Sequence, residues 1–172
     1  MIKKVSGKLN GWVSYTYSRS YLRTNSEFAT ETVNNGKYYP SNYDRPHSGN
    51  FVGNFRLSHR LSLSMNTAYS TGRPITLPLA KYQLDDATRL FYSERNQHRV
   101  PDYFRIDLSV NFEGNHKIKK LAHSSWTFGV YNLTGRNNVY SVYFQSEGNT
   151  ISGYKMSIFG SPIPSVTYNF RF

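Results

Sequence analysis

The stretch Pro164-Ser165-Val166-Thr167-Tyr168-Asn169-Phe170-Arg171-Phe172 decides how the rest of the chain is read. Val166, Tyr168, Phe170 and Phe172 fall on one side of an extended chain, and Ser165, Thr167, Asn169 and Arg171 fall on the other. That is the two-residue period of a strand lying between an apolar and a polar medium. Chain ends usually fray into water, so a run that closes on a bare aromatic points to a terminus that is recognised or buried.

Working outward, the same period recurs. In Leu61–Ser70, Leu61, Leu63, Met65, Thr67 and Tyr69 alternate with Ser62, Ser64, Asn66, Ala68 and Ser70. In Asp102–Phe112, Phe104, Ile106, Leu108, Val110 and Phe112 alternate with Arg105, Asp107, Ser109 and Asn111. Gly11–Arg23 puts Val13, Tyr15 and Tyr17 on one face, Asn50–Ser58 puts Phe51, Phe55 and Leu57 there, and Trp126, Phe128 and Val130 open a further strand. That strand is expected to run past an irregularity at Asn132-Leu133-Thr134-Gly135 toward Phe144. Six strands are therefore expected. Long polar connections, 24–48 and 73–101, and a third near 145–153 alternate with short or basic turns at 59–60 and 113–124.

The charged wall residues Arg56, Arg105, Asp107 and Arg171 all share the non-aromatic face. The chain is 16% aromatic, with 15 Tyr and 11 Phe, yet its mean hydropathy is −0.61. A wall that is apolar on alternate residues only, with polar loops, produces that combination. No apolar run approaches the roughly 20 residues of a helical span. Cysteine is absent, which excludes disulfides, thiolate metal sites and cysteine nucleophiles. Met1–Lys8 is basic but lacks the apolar core of an export signal. The net charge of +11, from 21 Lys and Arg against 10 Asp and Glu, favours an anionic partner such as nucleic acid, lipid headgroups or lipopolysaccharide.

Five segments in order carry a family resemblance: Tyr43-Asp44-Arg45-Pro46-His47, Tyr69-Ser70-Thr71-Gly72-Arg73-Pro74, Tyr92-Ser93-Glu94-Arg95-Asn96, Arg99-Val100-Pro101-Asp102-Tyr103-Phe104-Arg105-Ile106-Asp107-Leu108-Ser109 and Tyr131-Asn132-Leu133. Together with the closing aromatic strand they resemble the C-terminal barrel portion of TonB-dependent outer-membrane receptors of the Bacteroidetes type. The resemblance runs from about Gly11 to Phe172. It implies an all-β fold, an antiparallel up-and-down meander of about six strands within a larger transmembrane β-barrel with long extracellular loops. Six strands cannot close a membrane barrel, whose smallest single-chain forms need about eight. Residues 1–172 are thus expected to be an incomplete C-terminal part of a barrel domain, with plug and N-terminal strands absent. The implied function is uptake of a nutrient across the bacterial outer membrane. The implied partners are outer-membrane lipid, lipopolysaccharide and the barrel-assembly machinery, with the TonB system reached only through the absent N-terminal parts. The C-terminal assembly signal would be Val166, Tyr168, Phe170 and Phe172.

No catalytic or metal signature emerges, and no cofactor is expected. His47, His59, His98, His116 and His123 show no metal-ligand spacing. Asp85-Asp86 are consecutive and point apart in an extended chain, so they are expected at a solvated loop tip. Arg56, Arg105, Asp107 and Arg171 are expected to face the lumen, Arg105 and Asp107 as part of a charged network. Among the loop cations Lys37, Arg45, Arg73, Lys81, Arg89, Arg95 and Arg99, the candidates for ligand or lipopolysaccharide contact are Arg45, Arg73, Arg95 and Arg99. The competing reading is a soluble basic β-sheet module binding single-stranded nucleic acid or carbohydrate. Base stacking requires charge and exposed rings on one face, whereas here they segregate, so nucleic acid is not expected.

Overall fold

The computed structural model describes residues 1–85, 87–114, 123–147 and 150–171. Its strands are β1 (Ile2–Lys4), β2 (Leu9–Tyr17), β3 (Tyr21–Leu22), β4 (Tyr39–Pro40), β5 (His47–Arg56), β6 (Leu61–Ser70), β7 (Pro74–Ile75), β8 (Pro78–Leu84), β9 (Ala87–Tyr92), β10 (His98–Arg99), β11 (Tyr103–Glu113), β12 (His123–Tyr131), β13 (Val139–Glu147), β14 (Thr150–Ser157) and β15 (Ile163–Arg171). Two single 3-10 turns, Ala29–Glu31 and Asn34–Gly36, are the only helical elements among the described residues.

The six alternating segments build one antiparallel sheet in the order β1-β2-β5-β6-β11-β12-β15. Every pair except the added β1 edge joins strands expected to be neighbours. Among the described residues the sheet does not close, and β1 and β15 are its edges. Register carries each face straight across. Leu9, Phe55, Leu63, Val110, Phe128 and Val166 are successive cross-strand partners, and so are Asn10, Asn54, Ser64, Ser109, Gly129 and Ser165 one residue on. A one-residue slip would put every side chain on the wrong face, so the period excludes odd-numbered slips of register.

The long connections 18–46, 71–102 and 132–162 all leave one end of the sheet, and the turns 5–8 and 57–60 with the segment between β11 and β12 leave the other. Toward the long-loop end the apolar face carries Tyr15, Tyr17 and Tyr69. At the other end Trp126 and Tyr168 meet at 4.6 Å between ring centres, with Phe170 6.0 Å from Tyr168. The face is uncovered, Val166 being 62% and Phe170 59% exposed. Among the described residues the buried hydrophobic side chains are Tyr39 and Val100, both in the long-loop region.

Three expectations are corrected, and one strand is added. The first strand ends at Tyr17 rather than Arg23, because the next partner in register, Pro46, accepts the Ser18 N–H but has no N–H of its own to continue the ladder. The fifth strand ends at Tyr131. Asn132 takes a left-handed φ of 52° that stops the ladder, and Val139–Glu147 pairs instead with β14 as a separate hairpin spanning the expected third loop. The connection 73–101 is not irregular throughout, since β8 and β9 form a hairpin whose turn contains Asp85. Met1–Lys8 supplies an edge strand, Ile2 pairing with Val13. Of the basic turn at 113–124, residues 115–122 lie outside the described residues, and so do Asp86, His116 and Phe172.

Candidate functional site

The five motif segments, far apart in sequence, converge where the polar face meets the long loops. Asp44 is 1% exposed. Its Oδ1 accepts the Ser20 N–H at 2.8 Å and faces Arg19 at 3.5 Å, and its Oδ2 accepts a hydrogen bond from Arg99 Nη2. Arg99 Nη1 also donates to the Asp44 carbonyl at 2.8 Å and the Gly72 carbonyl at 2.9 Å. Burial alone would raise the Asp44 pKa. The Ser20 N–H and the Arg99 and Arg19 guanidinia outweigh it and hold the carboxyl below the usual carboxylate range.

Gly72 donates its N–H to Asp102 Oδ1 at 2.9 Å, and Tyr69 donates its hydroxyl to Oδ2 at 2.7 Å. Those two donors, the Gly72 N–H foremost, keep Asp102 ionised to lower pH than usual. A Cβ on Gly72 would stand 1.7 Å from the Val100 carbonyl oxygen, so only glycine lets these segments touch. The Asn96 amide donates to the Pro40 carbonyl and the Asn42 side chain, both at 2.8 Å, tying the first long loop to the second. The Asn138 side chain exchanges two hydrogen bonds with the Phe104 backbone, each 2.9 Å, and docks the third.

Below the loops lies a charged cluster on the wall. Arg105 Nη2 meets Asp107 Oδ2 at 3.0 Å, while Arg105 Nη1 donates to the hydroxyls of Tyr131 at 2.8 Å and Tyr103 at 3.0 Å. The guanidinium also lies 4.5 Å from the centre of the Tyr131 ring, a cation–π distance. Asp107 further accepts the Asn132 N–H at 3.0 Å and the Asn66 amide at 3.3 Å. Asn132, 0% exposed, spends its amide on the Arg136 and Phe159 carbonyls. Arg105 Nε is buried with no hydrogen-bond partner among the described residues.

Between cluster and loops opens a cavity of about 780 Å³. Of the loop candidates, Arg45 and Arg73 line it. Arg95 exchanges backbone hydrogen bonds with the Asn34 side chain outside it, and Arg99 is committed to Asp44. Of the wall candidates, Arg105 and Asp107 meet. Arg56 is at the opposite end of the polar face, opposite Ser62, and the Arg171 backbone pairs with His123 there, its side chain lying outside the described residues. Lys81 donates to the Thr150 carbonyl at 2.8 Å, linking the two hairpins. His47 stacks by Tyr15 and accepts or donates a 2.7 Å hydrogen bond with its hydroxyl. Among the described residues no three His, Asp or Glu side chains converge to hold a metal ion.

Three parts of this site escaped the sequence reading. Asp44 and Asn132 stood inside quoted motifs with no role attached, although Asn at a strand end is a recognised left-handed residue. Tyr103 and Tyr131 break the segregation of rings from charge, sharing the polar face with Arg105. Comparison with protein-family models, curated proteins and solved structures finds no match for this chain.

Proposed function

We propose that this chain is a wall segment of an outer-membrane β-barrel receptor that admits a nutrient, the remaining strands coming from outside these residues. The observation that carries the reading is the inversion of the sheet: its apolar face is bare while its other face is mostly Ser, Asn and Thr with Arg105 and Asp107, among which stand the large side chains of Trp12, Val52, Tyr103 and Tyr131. A water-soluble sheet of this size buries an apolar face under a second layer, and no such layer exists among the described residues.

Dimensions support the same reading. The strands β2, β5, β6, β11, β12 and β15 have 9, 10, 10, 11, 9 and 9 residues, and a tilted membrane-crossing strand needs about 9–11. Tyr15, Tyr17 and Tyr69 toward one end of the apolar face and Trp126 and Tyr168 toward the other, with Leu63, Met65, Leu108 and Val130 and the rings of Phe51, Phe55 and Phe128 between them, fit the interfacial Tyr and Trp of such walls. The long loops would then be extracellular, lipid and lipopolysaccharide would meet the apolar face, and the C-terminal strand Val166, Tyr168, Phe170 would engage the assembly machinery.

Because the chain lacks cysteine, spin labels placed singly at Val110, Asn111, Thr127 and Phe128 test the reading in isolated outer membranes. Val110 and Phe128 should relax with oxygen dissolved in lipid, and Asn111 and Thr127 should not. Equal access of all four to a water-soluble nickel reagent would mean an aqueous sheet and refute the proposal.

A further inference from the structure

The cavity beneath the long loops has an electrostatic imbalance that the wall does not need. Arg45, Arg73 and Arg105 line it, and no Asp or Glu among the described residues does. Among the described residues Arg45 reaches only the Ser70 hydroxyl, at 3.5 Å, and Arg73 only the Tyr140 carbonyl, at 3.4 Å. Neither has a carboxylate within ion-pair distance among the described residues. A guanidinium carries five donors, so most of theirs are unspent. Arg105, the deepest of the three, shares one carboxylate with two other donors and leaves its buried Nε without a partner.

A cation on a convex loop is simply solvated, but these three converge on one concavity from three separate elements. Its volume falls within the roughly 300–1,000 Å³ of small-molecule sites. Tyr103 and Tyr131 stand beside Arg105 on its floor, and Tyr140 stands at Arg73. Planar guanidinium forks match carboxylate and phosphate oxygens. We infer that this cavity binds a soluble small molecule bearing two or more carboxylate or phosphate groups. The inference rests on the receptor reading for its role in uptake, and it names the class of solute admitted. A lipid headgroup would present the same oxyanions, but the cavity opens on the polar face, opposite the surface that acyl chains would cover.

The test uses the native protein that carries this chain, purified in detergent, with citrate, pyrophosphate and lipopolysaccharide micelles titrated separately by calorimetry. Citrate or pyrophosphate should bind saturably and lose affinity as salt rises. The double variant Arg45→Gln/Arg73→Gln should weaken that binding at least tenfold, whereas Arg60→Gln/Arg89→Gln, which removes equal charge elsewhere, should change it less than twofold. Equal losses in the two pairs, or binding confined to lipopolysaccharide, would overturn the inference. So would the absence of saturable binding of both citrate and pyrophosphate. Fractionation is followed in parallel. A protein that stays in outer membranes but binds neither solute leaves the receptor reading standing, and a protein soluble without detergent sinks that reading while the titration in buffer still decides the cavity.

Discussion

Replacing Asp44 by Asn removes one negative charge from the point where two long loops are fastened together. The carboxylate accepts from the Ser20 N–H and from Arg99 and lies 3.5 Å from Arg19. An amide in its place turns donor hydrogens toward groups that are themselves donors. Removing one partner of a buried ion pair costs about 3–5 kcal/mol. Arg99 remains 29% exposed and can recruit water, so the lower end, about 3 kcal/mol, applies. At 1.36 kcal/mol per decade that is roughly a hundredfold more frequent local opening. Hydrogen exchange followed by mass spectrometry reads it directly: the amides of Ser20, Ser41 and Val100, bonded to Asp44, Ser20 and Arg73 respectively, should lose about two decades of protection. The ladder between β6 and β11 should keep its own. Protection at those three amides falling less than threefold, or falling evenly over the whole sheet, would refute the assignment of Asp44 as the local fastening.

Acidification should act on the same joint: Asp44 and Asp102 both titrate below the ordinary 3.8, so their stabilisation is complete above about pH 4 and is lost as pH falls through the depressed values. Protection, taken relative to the intrinsic exchange rate at each pH, should therefore fall in segments 18–46 and 71–102 below about pH 4, before the wall strands respond. Asn132→Ala should destabilise by about 3 kcal/mol, from two stranded carbonyls and the left-handed φ, whereas Asn132→Gly should recover about 1 kcal/mol of it, as measured by urea denaturation of the detergent-solubilised protein. Gly72→Ala should displace the Val100 segment, at the top of the usual 1–3 kcal/mol for overpacking, and abolish protection of the Val100 amide. Leu108→Lys should reduce membrane assembly by an amount equivalent to about 2–4 kcal/mol, whereas Ser109→Lys, one residue on, should be tolerated; heat-modifiable mobility in gels reports both.

The wall was legible in the sequence because each strand states its own period. Leu61–Ser70 emerged with the expected bounds, and register follows from keeping Leu63, Val110 and Phe128 on one face. The long loops were not legible for the opposite reason. Their order comes from single polar side chains standing in for missing backbone partners, as Asn138 does for Phe104 and Asn96 for Pro40. Such pairs span dozens of residues and leave no local period. The β8–β9 hairpin was missed because a two-residue alternation inside polar surroundings looks like loop composition, whereas Val139–Phe144 was expected as strand but as the continuation of the fifth rather than as one arm of the β13–β14 hairpin. Of the candidate residues, Arg45 and Arg73 remained in the cavity while Arg99 was withdrawn by Asp44, a distinction that needs three dimensions.

The bare apolar face sets a limit on where the sheet can live. Val13, Phe112, Trp126, Phe128, Val166 and Phe170 are each between 43% and 62% exposed. Full burial of such a side chain is worth about 1.5–3 kcal/mol, so half of that across these six forgoes about 6 kcal/mol. That sum is of the same order as the whole net stability of a domain, about 5–15 kcal/mol. The polar face offers no relief, since Asp107, with Asn66 and Arg105 bonded to it there, would be desolvated by any dry layer. A covering medium must therefore be apolar on one side and wet on the other. The proposed wall meets that condition with a bilayer outside and water within, through the two-sided register of β2, β5, β6, β11, β12 and β15; a second protein layer would meet it too, and the spin-label accessibilities decide between them.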